Sequence, residues 1–167
     1  MPIQDTQEFI IELEKQGELK RVKTEVSQDL EIAEILRREM YSNGPAILFE
    51  NVKGHTMPVL GNAFGSMKRL EIGLEMKDFT EIGQRITDMT KMDMPSGFLN
   101  KIKKLPELSK MTASFPKSES SGLVTEFTST DASFDDLPIL KSWPNDAGRF
   151  ITLGLIATKH PETGVRN

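Results

Sequence analysis

The stretch AILFENVKGHTMPVLGN, residues 46–62, constrains the fold of this chain more than any other part. Its first arm, 46–49, is apolar without a break, and a turn-forming ENVKGH (50–55) separates it from a second apolar arm. A short, uninterrupted apolar run beside a turn is typical of a strand that is buried on both faces. The sequence therefore predicts a strand–turn–strand unit whose first strand is central in a sheet.

Helices are predicted on both sides of this unit. Asp5 begins a capping-box pattern, and Gly17 supplies the stop for the helix between them. The clearest apolar stripe at helical spacing lies in 27–40, with Ser27 or Asp29 as its cap. Further helices are predicted at 65–74, 78–92 and 98–105, and a strand at 18–26. We interpret 1–112 as an N-terminal α/β domain.

The pattern changes after residue 112. The stretch ASFPKSESSG, 113–122, is polar, serine-rich sequence of the kind found in linkers. Strand signals follow at 123–127 and 150–158, and the second leads into a turn, PETG, that contains proline and glycine. We predict a linker at 113–122 and the opening, incomplete part of a β domain at 123–167, so that the fold class is α/β or α+β.

The predicted strand 150–158 raises a question of completeness, because a strand without a neighbour keeps one row of unpaired backbone groups. One interpretation is a short edge strand followed by a frayed terminus. The other is that these residues are the front part of a longer protein. Two or three strands are too few for an independently stable sheet, which favours the longer protein.

Charge and composition exclude several classes of function. The net charge of −4 argues against general nucleic-acid binding. The absence of cysteine excludes disulfides and zinc–thiolate sites and fits a reducing cytosol. The start MPIQDTQEF lacks the features of a signal peptide, and no apolar run approaches membrane-spanning length. We expect a cytoplasmic protein without a transmembrane segment.

Residue types and spacing alone do not reveal a catalytic constellation. His55 and His160 lie in predicted turns and lack the spacing of metal ligands. The stretch GNAFGS, 61–66, lacks the third glycine and the lysine of phosphate-binding loops, so two glycines that shape a strand-to-helix turn are the simpler explanation. No carboxylate pair stands out as an acid–base couple. We interpret Trp143 as a buried anchor for the strand that follows it.

Several stretches together resemble one known family. FIIELEKQGELKRVKTEV, GPAILFENVKG, PVLGNAFGS and DLPILKSWPNDAGRFITLGLIATKHPETGVRN follow each other as in the front portion of UbiD-type decarboxylases, the 3-polyprenyl-4-hydroxybenzoate carboxy-lyases. The resemblance covers nearly the whole chain and is weakest from Glu75 to Phe134. It implies an N-terminal α/β domain, then a split, flavin-reductase-like β-barrel of which only the opening strands are present, and a downstream domain that aids oligomerisation.

The resemblance also implies a reaction and a cofactor. Such enzymes carry out reversible, non-oxidative decarboxylation of aromatic or α,β-unsaturated acids with prenylated FMN, whose phosphate is held by a divalent metal, usually Mn²⁺. Asn167 corresponds to an asparagine that binds this metal, and its amide oxygen is a suitable hard ligand, although one ligand cannot hold the ion. Thr152 corresponds to a residue that faces the cofactor, or it is an ordinary β-branched strand residue. The carbonyl near Val165 corresponds to a K⁺ site.

The rest of the implied site is expected downstream of Asn167. This includes a histidine and a glutamate that complete the metal site, a catalytic acid and an arginine, so we assign no catalytic residue and expect this chain alone to be inactive. The resemblance implies that the whole protein is a homo-oligomer that binds a small aromatic acid. The family default places this reaction in quinone biosynthesis or aromatic acid metabolism. Peripheral contact with a membrane stays open. Two alternatives also stay open: a non-catalytic interaction or regulatory module that pairs with a second chain, and a flavin reductase, which would leave residues 1–110 without a role.

Overall fold

The computed structural model describes residues 3–78, 80–90, 120–122 and 125–167. The chain divides into two compact units, one formed by Met1–Met76 together with Ser133–Asn167 and the other by Lys77–Ala132. The predicted domain limits stay a prediction, because most of the proposed linker lies outside the described residues. The same holds for the predicted helix at 98–105. Of the predicted strand 123–127, only 125–127 are described, and they are not in a strand.

The described elements are, in chain order, α1 (Thr6–Lys15), β1 (Leu19–Val22), α2 (Glu31–Tyr41), β2 (Ala46–Phe49), β3 (Val59–Gly61), α3 (Met67–Gly73), α4 (Thr80–Thr90) and a 3-10 turn at Phe134–Asp136. The three strands form one sheet in the order β1-β2-β3. Strands β1 and β2 are parallel, and β2 and β3 are antiparallel. The predicted strand–turn–strand unit, the central place of its first strand and the mixed α/β fold class are confirmed. Within the described residues, no helix is long and apolar enough to cross a lipid bilayer.

Strand β2 is the centre of the core, and all of its residues are buried. Because successive side chains of a strand point to opposite faces, β2 contributes to two clusters. Ile47 and Phe49 pack with Ile32 of α2, whereas Ala46 packs with two side chains of α1. Burial from both sides is the reason why this strand is apolar throughout.

The start of α1 follows the predicted cap. Asp5 Oδ1 accepts hydrogen bonds from the backbone amides of Gln7 and Glu8 at 2.8 and 2.9 Å. The Glu8 carboxylate accepts from the amide of Gln4, not from that of Asp5, so the reciprocal contact is shifted by one residue. Gly17 has φ +71°, which is the left-handed conformation that a helix end commonly requires.

The predicted cap of α2 is wrong. The helix begins at Glu31, and the preceding position is Leu30 with φ 65° and no side-chain cap. Ser27 instead receives a hydrogen bond from the Asp29 amide within the loop. The physical reason is a tertiary contact: the Leu30 amide donates to the carbonyl of Lys141 at 3.0 Å, and this pairing turns the backbone at residue 30.

The turn between β3 and α3 needs its glycines for steric reasons. Asn62 has φ +53° and donates from Nδ2 to the carbonyls of Gly44 and Pro45 at 3.1 Å each. A Cβ on Gly65 would lie 1.8 Å from Asn62 Oδ1 and 2.9 Å from Arg69 Nη2. Ser66 then caps α3 by accepting from the Arg69 amide. This geometry supports the interpretation of GNAFGS as a strand-to-helix turn.

We expect Gly65→Ala to lower the free energy of unfolding by about 1–3 kcal/mol, because the new methyl group displaces an Asn62 side chain that holds two backbone carbonyls. Urea denaturation measures this effect. Gly83→Ala in α4 is the matched control, since in the described part of the chain nothing beyond its chain neighbours and its own helix backbone lies within 4 Å of its Cβ position. It should raise stability by about 0.5–1 kcal/mol. Equal stability of Gly65→Ala and the unaltered chain would contradict the steric argument.

Candidate functional site

The segment that carries both candidate site residues is attached through backbone pairing to the loop that precedes α2. The Lys141 amide donates to the carbonyl of Gln28 at 3.1 Å, and the Lys141 carbonyl accepts from the amide of Leu30. Leu140 packs against the core cluster that contains Ile47 and Phe49. The Phe150 amide then donates to the Leu140 carbonyl at 3.0 Å, which closes a loop immediately before Thr152.

Thr152 lies at the wall of a cavity of about 640 Å³. Apolar side chains of α2 form one side of this cavity, and residues of the attached segment form the other. The lining residues include Leu30, Ala33, Leu36, Met40, Leu140, Trp143 and Pro144 among the apolar ones, and Glu34, Arg37, Asn62, Ser142 and Thr152 among the polar ones. The cavity lining is mainly apolar with a few polar groups, which is the usual character of small-molecule sites in proteins.

The charged side chains that line this cavity, Glu34 and Arg37, pair with each other. The Glu34 carboxylate accepts from Arg37 Nε at 2.6 Å and from Arg38 Nε at 2.7 Å. The hydrogen bonds from Arg37, and then from Arg38, lower the pKa of Glu34 to about 2. The Arg37 guanidinium also lies 5.5 Å from the centre of the Tyr41 ring, a cation–π distance. The residue type and spacing of both arginines are those of an ordinary solvated helix face, so the sequence carries no signal for this role.

The interpretation of Trp143 as a buried anchor is wrong. Its side chain is 62% exposed and lines the cavity. The backbone explains this position, because the Trp143 amide donates to Asp146 Oδ2 at 2.9 Å and the Trp143 carbonyl accepts from the amide of Asp146. This tight turn leaves the indole at the exposed cavity lining instead of in the core.

The prediction of a strand at 150–158 is also wrong. No residue of this segment belongs to a strand, and the nearest pairing is a single antiparallel bridge between Lys159 and Arg166. Leu153 and Leu155 are 83% and 102% exposed. The composition is that of a strand, but a strand forms only where a neighbour supplies hydrogen-bond partners, and no described strand lies beside this segment.

The turn after this segment is compact. The His160 amide donates to the Val165 carbonyl at 2.8 Å, and the Gly164 amide donates to the His160 carbonyl at 2.9 Å. Gly164 has φ +68°, as expected for a turn glycine. The His160 ring accepts from the amides of Glu162 and Thr163 through Nδ1 at 3.3 and 3.2 Å. The role of His160 as a turn residue is therefore supported by its contacts.

Asn167 closes the turn with its side chain. Its Oδ1 accepts from the Thr158 amide at 2.9 Å, and its Nδ2 donates to the Ile156 carbonyl at 2.9 Å. An amide oxygen has two lone pairs, so one remains available for a hard cation such as Mn²⁺. The described residues contain no group of three or more His, Cys, Asp or Glu that could hold a metal.

Two domain descriptions of one family match the sequence. The N-terminal domain of 3-octaprenyl-4-hydroxybenzoate carboxy-lyase matches residues 10–86, and the Rift-related domain of the same carboxy-lyase matches residues 116–167. A protein of Aquifex aeolicus is 46% identical over 166 residues, and one of Archaeoglobus fulgidus is 42% identical over 167 residues. The matches cover 98% and 100% of this chain but 34% of each relative, so the chain spans only about a third of their length.

Two solved structures share the fold. Both are of the UbiD-class enzyme HmfF from Pelotomaculum thermopropionicum, one an evolved dimeric form in complex with prFMN and the other a complex with FMN. Their TM-scores are 0.66 and 0.61 at 24% identity, and each similarity covers 96% of this chain and 33% or 32% of the other. At this identity the similarity bears on the fold, and it agrees with the mixed α/β architecture described above.

Proposed function

This chain belongs to the UbiD family of carboxy-lyases, and on that premise we propose that the protein containing it is a prenylated-FMN-dependent, non-oxidative decarboxylase of aromatic or α,β-unsaturated acids. The observation that carries the proposal is the match of two consecutive domains of one carboxy-lyase family along this chain. The two HmfF structures, which are complexes with prFMN and with FMN, support a flavin as the cofactor. The 3-polyprenyl-4-hydroxybenzoate type is the default substrate of the family.

The residues of this chain would help to bind the cofactor and would not take part in breaking the carbon–carbon bond. When bound, prenylated FMN supplies the chemistry of decarboxylation. Asn167 would offer its free lone pair to the Mn²⁺ that holds the cofactor phosphate, with a K⁺ near the Val165 carbonyl. Thr152 would face the cofactor from the cavity wall. The catalytic groups and the remaining metal ligands would come from the part of the protein that follows Asn167.

The proposal includes the architecture and setting of the whole protein. Residues 123–167 would become the first strands of a split β-barrel, in which 150–158 gains the neighbours that a strand requires. The exposed Leu153, Leu155 and Ile156 would then be covered. The whole protein would be a cytoplasmic homo-oligomer that takes a small aromatic acid as its substrate.

The exposed apolar residues of 150–156 also favour the alternative of a non-catalytic module that pairs with a second chain. The intact mass of the natural protein separates these functions. A species far heavier than 18.8 kDa that contains these peptides supports the decarboxylase, and one of 18.8 kDa supports the two-chain module.

The full-length protein, loaded with prenylated FMN and Mn²⁺, is expected to release CO₂ from at least one member of a panel of aromatic and α,β-unsaturated acids. Headspace CO₂ and loss of substrate measure the reaction, with cofactor-free protein as the blank. A cofactor-loaded protein that leaves the whole panel intact would overturn the proposal.

For Asn167, we expect Asn167→Leu to weaken Mn²⁺ binding by about 100-fold, the upper end of what loss of a supporting ligand contact costs. Asn167→Asp is the discriminating variant. It keeps the oxygen that faces Thr158 and can bind the metal, but it cannot donate to the Ile156 carbonyl. Mn²⁺ retention by Asn167→Asp, measured by titration, supports the ligand role. Equal loss in both variants means that the amide acts only in closing the turn.

A further inference from the structure

A polar cluster of Gln28, His55 and Arg149 connects three separate parts of the chain, and we name it the Gln28 cluster. Gln28 is only 8% exposed and lies in the loop before α2. His55 belongs to the connection between β2 and β3, and Arg149 stands three residues before Thr152. Neither Gln28 nor Arg149 is distinctive in the sequence, and His55 was interpreted only as a turn residue.

The Gln28 amide lies within hydrogen-bond distance of both other members of this cluster. Arginine can only donate, so the Gln28 oxygen must face it, and in that orientation Oε1 accepts from Arg149 Nη1 and Nη2 at 3.1 Å each. His55 Nε2 lies 2.9 Å from Gln28 Nε2 and 3.0 Å from Gln28 Oε1, so the ring either accepts from the amide nitrogen or donates to the amide oxygen, according to its tautomer. His55 Nδ1 lies 3.4 Å from the Asp136 carbonyl oxygen. Gln28 therefore connects Arg149 with His55 in either tautomer.

Charged neighbours on the same side hold Arg149 loosely. Its guanidinium lies 4.0 Å from Asp29 and 4.0 Å from Asp135, at the limit of an ion pair. Such exposed pairs contribute little, about 0–1 kcal/mol. The direction of the Arg149 side chain therefore depends mainly on the fork of bonds to the buried Gln28 amide.

We infer that the Gln28 cluster is a positioning device, which sets the path of the chain at residue 149 and thereby holds Thr152 at the cavity wall. The Gln28 backbone carbonyl accepts from Lys141, so the same residue fixes both the incoming and outgoing ends of the loop that 141–149 form. No member of the cluster lines the cavity, so each acts through Thr152. This inference rests on the proposed function, in which Thr152 faces the flavin.

Hydrogen exchange tests the cluster without reference to activity. In the full-length protein, Gln28→Met keeps the size of the side chain but removes its hydrogen bonds to Arg149 and His55. We expect peptides that contain the Lys141 and Phe150 amides to exchange about tenfold faster, while those of β2 stay unchanged. The matched control is Gln84→Met on α4, where the side chain donates to the exposed Asp88 carboxylate. Unchanged exchange at 141–150 in Gln28→Met would overturn the inference.

Flavin binding tests the positioning role itself. With FMN as the probe, we expect Gln28→Met and Arg149→Met to raise Kd by about three- to tenfold and to alter the visible flavin spectrum. Arg149→Lys keeps one donor and should recover most of the affinity. Faster exchange with unaltered FMN binding and spectrum would reduce the cluster to a structural clamp and overturn the positioning role. If the unaltered protein binds no flavin, the proposed function fails, and the exchange result still decides whether the cluster fixes the segment.

Discussion

Replacing Phe49 with alanine is expected to lower the free energy of unfolding by about 3–5 kcal/mol. Phe49 is the last residue of the central strand and is 0% exposed. Its ring packs in the cluster formed with Val26, Ile32 and Ile47, so truncation removes apolar contacts and leaves a cavity between α2 and the sheet. Since most domains are stable by only about 5–15 kcal/mol, this loss is a large part of the total.

The matched control is Phe134→Ala. Phe134 begins the 3-10 turn, and its side chain is 76% exposed in this chain, so its truncation should change stability by no more than about 0.5 kcal/mol. If Phe49→Ala does not fold, Ile47→Val tests the same core, with an expected loss in the free energy of unfolding of about 0.5–1.5 kcal/mol. Chemical denaturation of the purified chain followed by circular dichroism measures all three. A Phe49→Ala effect as small as that of Phe134→Ala would contradict the assignment of the core.

Glu18→Ala is expected to cost about 3–5 kcal/mol because it leaves a buried cation without its partner. The Arg69 side chain is 2% exposed, and its Nη1 donates to Glu18 Oε2 at 3.0 Å. The Arg69 Nε is buried and has no hydrogen-bond partner among the described residues, so Glu18 carries most of the compensation for this guanidinium. Lys68 Nζ lies 3.0 Å from the other Glu18 oxygen but remains half exposed.

A double variant separates pairing from packing. If the cost arises from the uncompensated charge, then Glu18→Ala with Arg69→Met should be more stable than Glu18→Ala alone. Glu14→Ala is the control, because the pair between Glu14 and Arg21 is largely exposed and should contribute no more than about 1 kcal/mol. A double variant that is less stable than both single variants would contradict the argument from buried charge.

The same pair predicts a dependence on pH. The hydrogen bond from Lys68, and then that from Arg69, lowers the pKa of Glu18 from its usual 4.5. A carboxyl group whose pKa is lower in the folded state contributes its stability above the unfolded value, and this contribution is lost as the pH falls through the folded value. Unfolding measured between pH 6 and pH 3 should therefore show a steeper loss below about pH 4.5 in the unaltered chain than in Glu18→Gln.

The elements that the sequence predicted correctly depend on neighbouring residues. The Asp5 cap and the Gly17 stop each satisfy backbone groups within a few positions, so their residue types are sufficient signals. The continuous apolar run of β2 is likewise a local pattern that only a doubly covered strand explains. Membership of the UbiD family also followed from the sequence, because long motifs persist in order along the chain.

The features that only the tertiary structure decided depend on distant partners. Helix α2 begins at Glu31 because Leu30 pairs with Lys141, and Trp143 is exposed because Asp146 draws its backbone into a turn. Arg69 is likewise buried against Glu18, which lies far from it in the chain. The Gln28 cluster also brings together residues that are distant in sequence. Residues 150–158 have the composition of a strand but do not form one. Composition sets only a preference for extended backbone, whereas a strand also needs a neighbouring strand to pair with. Local patterns thus determined where the elements lie, and long-range contacts determined which polar side chains meet.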